Sequence, residues 1–134
     1  MKNKIRLAET EKYREIVDPW LCLNIYKVCN NKQFEGCYAS EFINFMNLAK
    51  HVRQLKVRNK QKLKVSYMAD VVKNNLPYPD DNFWHEMFLD QCDIKPDYLS
   101  RHSGDFYGET STQDNQDYRA AIQEAVNNWR NRNN

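Results

Sequence analysis

Three glycines and four prolines are few for 134 residues, and the shortage excludes several kinds of protein at once. Phosphate-binding loops need clustered glycines so that backbone N–H groups can close on a nucleotide, and no glycine-rich loop and no nucleophile elbow of the GxSxG kind occurs. Long apolar runs are missing too. The longest covers residues 20–29, about half of what a membrane span requires, so no membrane role is expected. The opening MKNKIRLAET has charges where a secretory signal would have an apolar stretch, which points to a cytoplasmic protein.

The four cysteines, Cys22, Cys29, Cys37 and Cys92, have neither the paired short spacing of a zinc site nor the density of a disulfide scaffold. They read as reduced thiols. Cys22 and Cys29, seven apart on one helical face, should pack as small apolar side chains. The WHEMF stretch begins like a zincin motif with His85 and Glu86, but Leu89 stands where the second histidine belongs. Asp81 with His85, and Glu86 with Asp90, share helix faces without forming a recognisable acid–base pair. No catalytic residue, cofactor site or metal site is assigned, and the chain reads as a non-enzyme.

What the sequence does contain is an aromatic-rich apolar set, 41% hydrophobic and 13% aromatic, enough for one domain over residues 1–134 with one core. Trp20, Trp84 and Trp129 are spread over three segments, each an expected anchor for that core. The expected fold is mainly α: a single bundle of five or six helices around a buried helix at 19–30. Asp18–Pro19 writes the start of that helix, because proline suits the first helical position and pushes Asp18 into the extended geometry of an N-cap. Before it, residues 4–16 carry a partial helical stripe. After it, Asn30, Asn31 and Gly36 predict a reversal.

Further helices are expected from Ser40, with Phe42, Phe45, Met46, Ala49 and Val52 inward; from Ser66 to Asn75; from about Asp81 to Cys92, burying Trp84, Phe88 and either Met87 or Cys92; and from Ser111 onward, with Tyr118, Ala121, Ile122, Ala125, Val126 and Trp129 as its stripe. The connector at 93–112 has room for one helical turn at 97–101.

One stretch breaks the helical period. Every even position from Gln54 to Ser66 is polar, while Leu55, Val57, Leu63, Val65 and Tyr67 occupy odd ones, which makes a small basic β-hairpin at 55–67 the alternative, giving an α+β fold. The like-charge pairs Lys56/Lys64 and Arg58/Lys62 that it would create, and a loop without glycine, count against it.

Charge is distributed unevenly. Residues 1–67 hold 14 Lys/Arg against 6 Asp/Glu, and residues 68–134 hold 6 against 12, so the net charge of +2 hides two opposed halves. From Lys50 to Lys64 there are seven cations and no acid: Lys50, Arg53, Lys56, Arg58, Lys60, Lys62 and Lys64. Such a run suits non-specific contacts with the backbone of DNA or RNA. Ser66–Asp90 has the order of a helix-turn-helix, but Asp80, Asp81, Glu86 and Asp90 give its second helix the wrong sign for a major groove. The sequence therefore supports a non-enzymatic cytoplasmic regulatory or accessory protein that touches nucleic acid through residues 50–64. The alternative is an interaction module, adaptor or homo-oligomer, whose surface around Asp80, Asp81, Glu86, Asp90, Asp93 and Asp97, or whose basic segment, meets a partner protein or a second copy.

Overall fold

The computed structural model describes residues 15–133, and the helix expected at 4–16 falls almost wholly outside them. Its last positions, Glu15 and Ile16, are not helical. The fold is mainly α-helical. Among the described residues, seven helices follow in order: α1 (Pro19–Cys29), α2 (Ala39–Met46), α3 (Lys62–Lys73), α4 (Asp80–Gln91), α5 (Tyr98–Arg101), α6 (Ser103–Tyr107) and α7 (Gln113–Asn133).

Helix α1 starts as the sequence prescribes. The Asp18 carboxylate accepts the Trp20 N–H at 2.8 Å with Pro19 in the first turn, and Asn31 takes a left-handed conformation (φ 59°) just beyond its end. Leu21, Cys22, Ile25 and Cys29 are fully buried, because α1 packs against both α2 and α7. Its one interior amide, Asn24, faces α7 and donates to the Ala125 carbonyl at 3.1 Å, so the polar interruption in an apolar helix is satisfied across the interface. Trp20 departs from expectation. It stands 49% exposed at the helix start, with the Arg132 guanidinium 3.9 Å above its ring, while Trp84 is fully enclosed and Trp129 partly so.

Aromatic rings make the centre of the core. Phe34, Phe42, Phe45 and Phe88 meet edge to face in a chain with centroid spacings of 5.6, 5.9 and 5.7 Å, tying the loop after α1 to α2 and α4. Trp84 stacks on Phe88 and donates its Nε1–H to the Met46 carbonyl at 2.6 Å, and Gln91 donates to the Phe45 carbonyl at 2.7 Å. These bonds satisfy carbonyls freed at the end of α2.

Several starts differ from the sequence reading. Helix α2 begins at Ala39 and not after Ser40, since the Glu41 carboxylate reaches back to accept the Tyr38 N–H at 2.8 Å. Thr112 takes the role expected of Ser111, accepting the Asn115 N–H at 3.0 Å; the Ser111 hydroxyl instead donates to the Phe106 carbonyl. On α4 it is Leu89 and Cys92 that join Trp84 and Phe88 inside, while Met87 is 42% exposed.

The 55–67 hairpin does not form. Residues 55–58 are extended as the alternation indicates, but Val57 pairs with Phe34 in an isolated antiparallel bridge, with Glu35 N–H on the Lys56 carbonyl at 3.0 Å and Arg58 N–H on the Gln33 carbonyl at 2.8 Å. Lys60 turns the chain in a left-handed conformation (φ 67°), and from Lys62 onward it is helix. The pairing with 33–35 avoids the like-charge ladder that the hairpin would create. Ser66 lies inside α3 instead of capping it, and Tyr67, Met68, Val71 and Val72 point inward as expected.

Between α1 and α2 sits a buried amide that organises the start of the described chain. Asn47, 2% exposed, accepts the N–H groups of Ile16 (2.6 Å) and Val17 (2.8 Å) and donates to the carbonyls of Val17 (3.2 Å) and Ile43 (3.0 Å). All four bonds an asparagine side chain offers are made.

Candidate nucleic-acid interface

The Phe34–Val57 bridge decides how the basic segment is displayed. Along an extended strand, alternate residues face opposite ways, so Leu55 and Val57 turn into the core and Lys56 and Arg58 turn out to solvent. Arg58 donates to the Asn31 carbonyl at 2.5 Å, which anchors the opposing loop beside it and brings exposed Lys32 to the same edge. Lys60 follows at the tip of the left-handed turn, and Lys50 is exposed in the loop after α2. Sequence reasoning passed over Lys32. It is isolated in the chain, and only the bridge places it beside the run.

The seven cations do not behave alike. Arg53 is held by two carboxylates, Glu35 at 2.7 Å and Glu41 at 3.2 Å. The Glu35 carboxyl also accepts the Lys56 backbone N–H at 2.8 Å; that bond, and then the one from Arg53, hold its pKa below the usual carboxylate value. Lys64 is buried on α3. Its ammonium pairs with Asp114 at the start of α7 and lies 5.9 Å from the Tyr118 ring centroid, so its charge is spent inside the fold.

Lys62 is exposed but borders a cleft of about 870 Å³ that also gathers Glu86, Asp90, Asp93, Lys95 and Arg101. Lys50, Lys56, Arg58 and Lys60 are left as exposed cations without a carboxylate partner among the described residues.

Glu86, Asp90, Asp93 and Asp97 are exposed on α4 and the connector after it, and from the second half Asp114 reaches back to the basic run by pairing with Lys64. Exposed Phe83 (53%) and Met87 lie one turn apart on α4, next to Glu86 and Asp90.

The cysteines are all free thiols. Burial pushes Cys29 up to about 12, the hydrogen bond with the Tyr118 hydroxyl pulling the other way, and raises Cys22 and Cys92 well above the normal range. Three or more histidine, cysteine or carboxylate side chains do not converge as a metal site among the described residues, and no helix there is long and apolar enough to cross a membrane. No family model matches this chain, and no curated protein or solved structure does either.

Proposed function

We propose that this protein is a non-enzymatic, cytoplasmic accessory factor that binds the phosphate backbone of DNA or RNA through an edge formed by Lys50, Lys56, Arg58 and Lys60, with Lys32 from the facing loop. The observation that carries the reading is the outward display of Lys56 and Arg58 on the strand whose other face, Leu55 and Val57, is held by Phe34. Glu35 and Glu41 both pair with Arg53, and the contact of Glu35 with Lys56 is to its backbone N–H, which leaves the Lys56 ammonium without an ion pair. Four free thiols without a disulfide agree with a reducing compartment. Arg53 supports the edge and Lys64 supports the fold, so neither contributes a phosphate contact, and Lys62 stands at its margin.

Fluorescence anisotropy with unrelated duplexes and a single strand tests the proposal. Five phosphate contacts, one per cation of the edge, give a log–log salt slope of about −4.5 on duplex DNA, and Lys56→Ala or Arg58→Ala lowers affinity on every sequence while reducing that slope by about 1. No retention at low ionic strength, or binding indifferent to salt, overturns it.

A second reading rests on a separate observation, the exposed Phe83 and Met87 beside Glu86 and Asp90 on α4. An apolar pair with an acidic border suits a partner protein or a second copy of the chain. Light scattering across concentration, with Phe83→Ser as the control, checks the self-association form: a monomer at every concentration removes it.

A further inference from the structure

A second concavity, about 270 Å³, lies where α3 and α4 meet the short helices α5 and α6. Its walls bring together Ser66 and Asp70, one turn apart on α3, His85 of α4 and Tyr107 at the end of α6, against an apolar surface that includes Pro96 and Leu99. The Ser66 hydroxyl, the Asp70 carboxylate, the His85 imidazole and the Tyr107 hydroxyl make no hydrogen bond or ion pair with another described residue, although the Arg119 guanidinium lies 5.3 Å from the Tyr107 ring centroid. The Ser66 hydroxyl is the sharpest case, since the residue is 2% exposed and its oxygen is buried with no partner. Buried hydroxyls are normally bonded, so an unpartnered one in a pocket wall marks a bond left for an occupant.

The charge of the pocket is also defined. Asp70 is the one carboxylate among its lining residues. Burial, and then the neighbouring Lys73 ammonium, lower the pKa of His85 below its ordinary value, with Asp70 acting in the opposite sense; at neutral pH the imidazole is uncharged. Lys73 makes no ion pair with Asp70. Burial raises the pKa of the Tyr107 hydroxyl above its ordinary value. The Lys73 ammonium near His85 and the Arg119 guanidinium over the Tyr107 ring stand at the margin of the pocket without pairing with Asp70, so its half-enclosed carboxylate remains available to a cation, and the volume equals about nine water molecules of liquid.

From this convergence of unmade polar contacts around one carboxylate, we propose that the α3–α4–α6 pocket binds a small organic ammonium compound, its cation on Asp70 and its apolar body against Leu99, Pro96 and the Tyr107 ring. The Ser66 hydroxyl and the neutral His85 ring complete the site as hydrogen-bonding groups for a polar substituent. Ser66, His85 and Asp70 are the residue types of a hydrolytic triad, but no serine–histidine hydrogen bond links them, so the arrangement is one for binding.

The probe is benzylamine, protonated at neutral pH, with benzyl alcohol and benzoate as neutral and anionic counterparts of the same shape. Amide shifts of the full chain, followed by two-dimensional NMR, should saturate with benzylamine and cluster at residues 66–73, 85–89 and 99–107. Asp70→Asn should weaken that binding at least about tenfold, the loss of one charge-assisted contact, with unrelated amides unmoved. Tyr107→Ala, at a half-exposed position, tests the aromatic wall separately and should weaken benzylamine several-fold. Equal binding of benzoate or benzyl alcohol, an Asp70→Asn protein that binds as the parent does, or no saturable shift at any soluble concentration overturns the proposal.

Discussion

Replacing Asn47 by leucine should be among the costliest single polar substitutions in this protein, and its cost can be built up bond by bond. The change removes the acceptor of the Ile16 and Val17 amides and the donor to the Val17 and Ile43 carbonyls. Val17 is fully buried, so its amide loses any partner, whereas Ile16 is partly exposed and recovers some hydration. The Ile43 carbonyl keeps the Asn47 backbone N–H at 3.1 Å and is not orphaned. One stranded amide costs about 1–3 kcal/mol and each net bond lost about 1 kcal/mol, for a gross cost of about 4 kcal/mol. Extra apolar burial by leucine offsets about 1 kcal/mol. The net is about 3 kcal/mol, or close to 10 °C in Tm for a chain this size at the usual unfolding entropy per residue.

Urea denaturation monitored by tryptophan fluorescence measures the loss. Asn44→Leu is the control, because Asn44 is partly exposed and its side chain makes no hydrogen bond with a described residue. If Asn47→Leu unfolds within about 1 kcal/mol of that control, the amide is not the organising contact described above, since most surface substitutions stay within about 0.5 kcal/mol.

The buried Lys64 gives an asymmetric prediction: Asp114→Ala should cost more than Lys64→Met. The first strands an ammonium that is 11% exposed, while the second leaves an 80% exposed carboxylate in water; differential scanning calorimetry of the two variants and their double checks it. Alkaline pH should destabilise the fold. The Cys22, Cys29 and Cys92 thiols have folded pKa values raised above the unfolded value, so the stability they confer is complete below the unfolded pKa of about 8.5 and is lost as pH rises beyond it, by about 1.4 kcal/mol per unit for each thiol. Urea midpoints between pH 8 and 10 measure this, and a flat profile refutes it. Mass-spectrometric labelling of the native protein should find Cys37, the one cysteine not buried, alkylated first. On the proposed nucleic-acid edge, Glu35→Gln releases Arg53 from one carboxylate and should tighten duplex binding at low salt; unchanged affinity would separate Arg53 from that surface.

How much of this was legible in the chain depends on where each residue finds its partner. The start of α1 could be read because Asp18, Pro19 and the Trp20 amide are neighbours, and the stripes of α2, α4 and α7 because their apolar spacing repeats within a few residues. The 55–67 alternation was half informative. It identified the extended strand at 55–58, but its continuation through Lys64 and Ser66 arises from a helix that buries both, and the carboxylate that allows Lys64 inside is fifty positions away. Separation in the chain also hid the partner strand, because nothing in Gln33–Phe34–Glu35 announces that it pairs with 56–58. Nothing near Asn47 in the chain marks its role, since its bonds to Ile16 and Val17 reach back about thirty residues. The charge asymmetry could be counted from composition. Which cations stay in solvent follows from Glu35, Glu41 and Asp114, and that is a tertiary matter.

The chain reverses direction with almost no glycine. Asn31, Leu48, His51, Lys60 and Asp93 adopt left-handed backbone conformations, and none of the three glycines does. Asparagine and aspartate tolerate this well and histidine adopts it more readily than most, whereas leucine and lysine do so at a local cost, so tertiary packing holds those corners against their intrinsic preference. Engineering can use that. His51 and Lys60 are exposed corners where a residue without a side chain would relax the backbone while leaving every interior contact in place, which makes them the natural positions for raising the heat tolerance of the protein without repacking its interior.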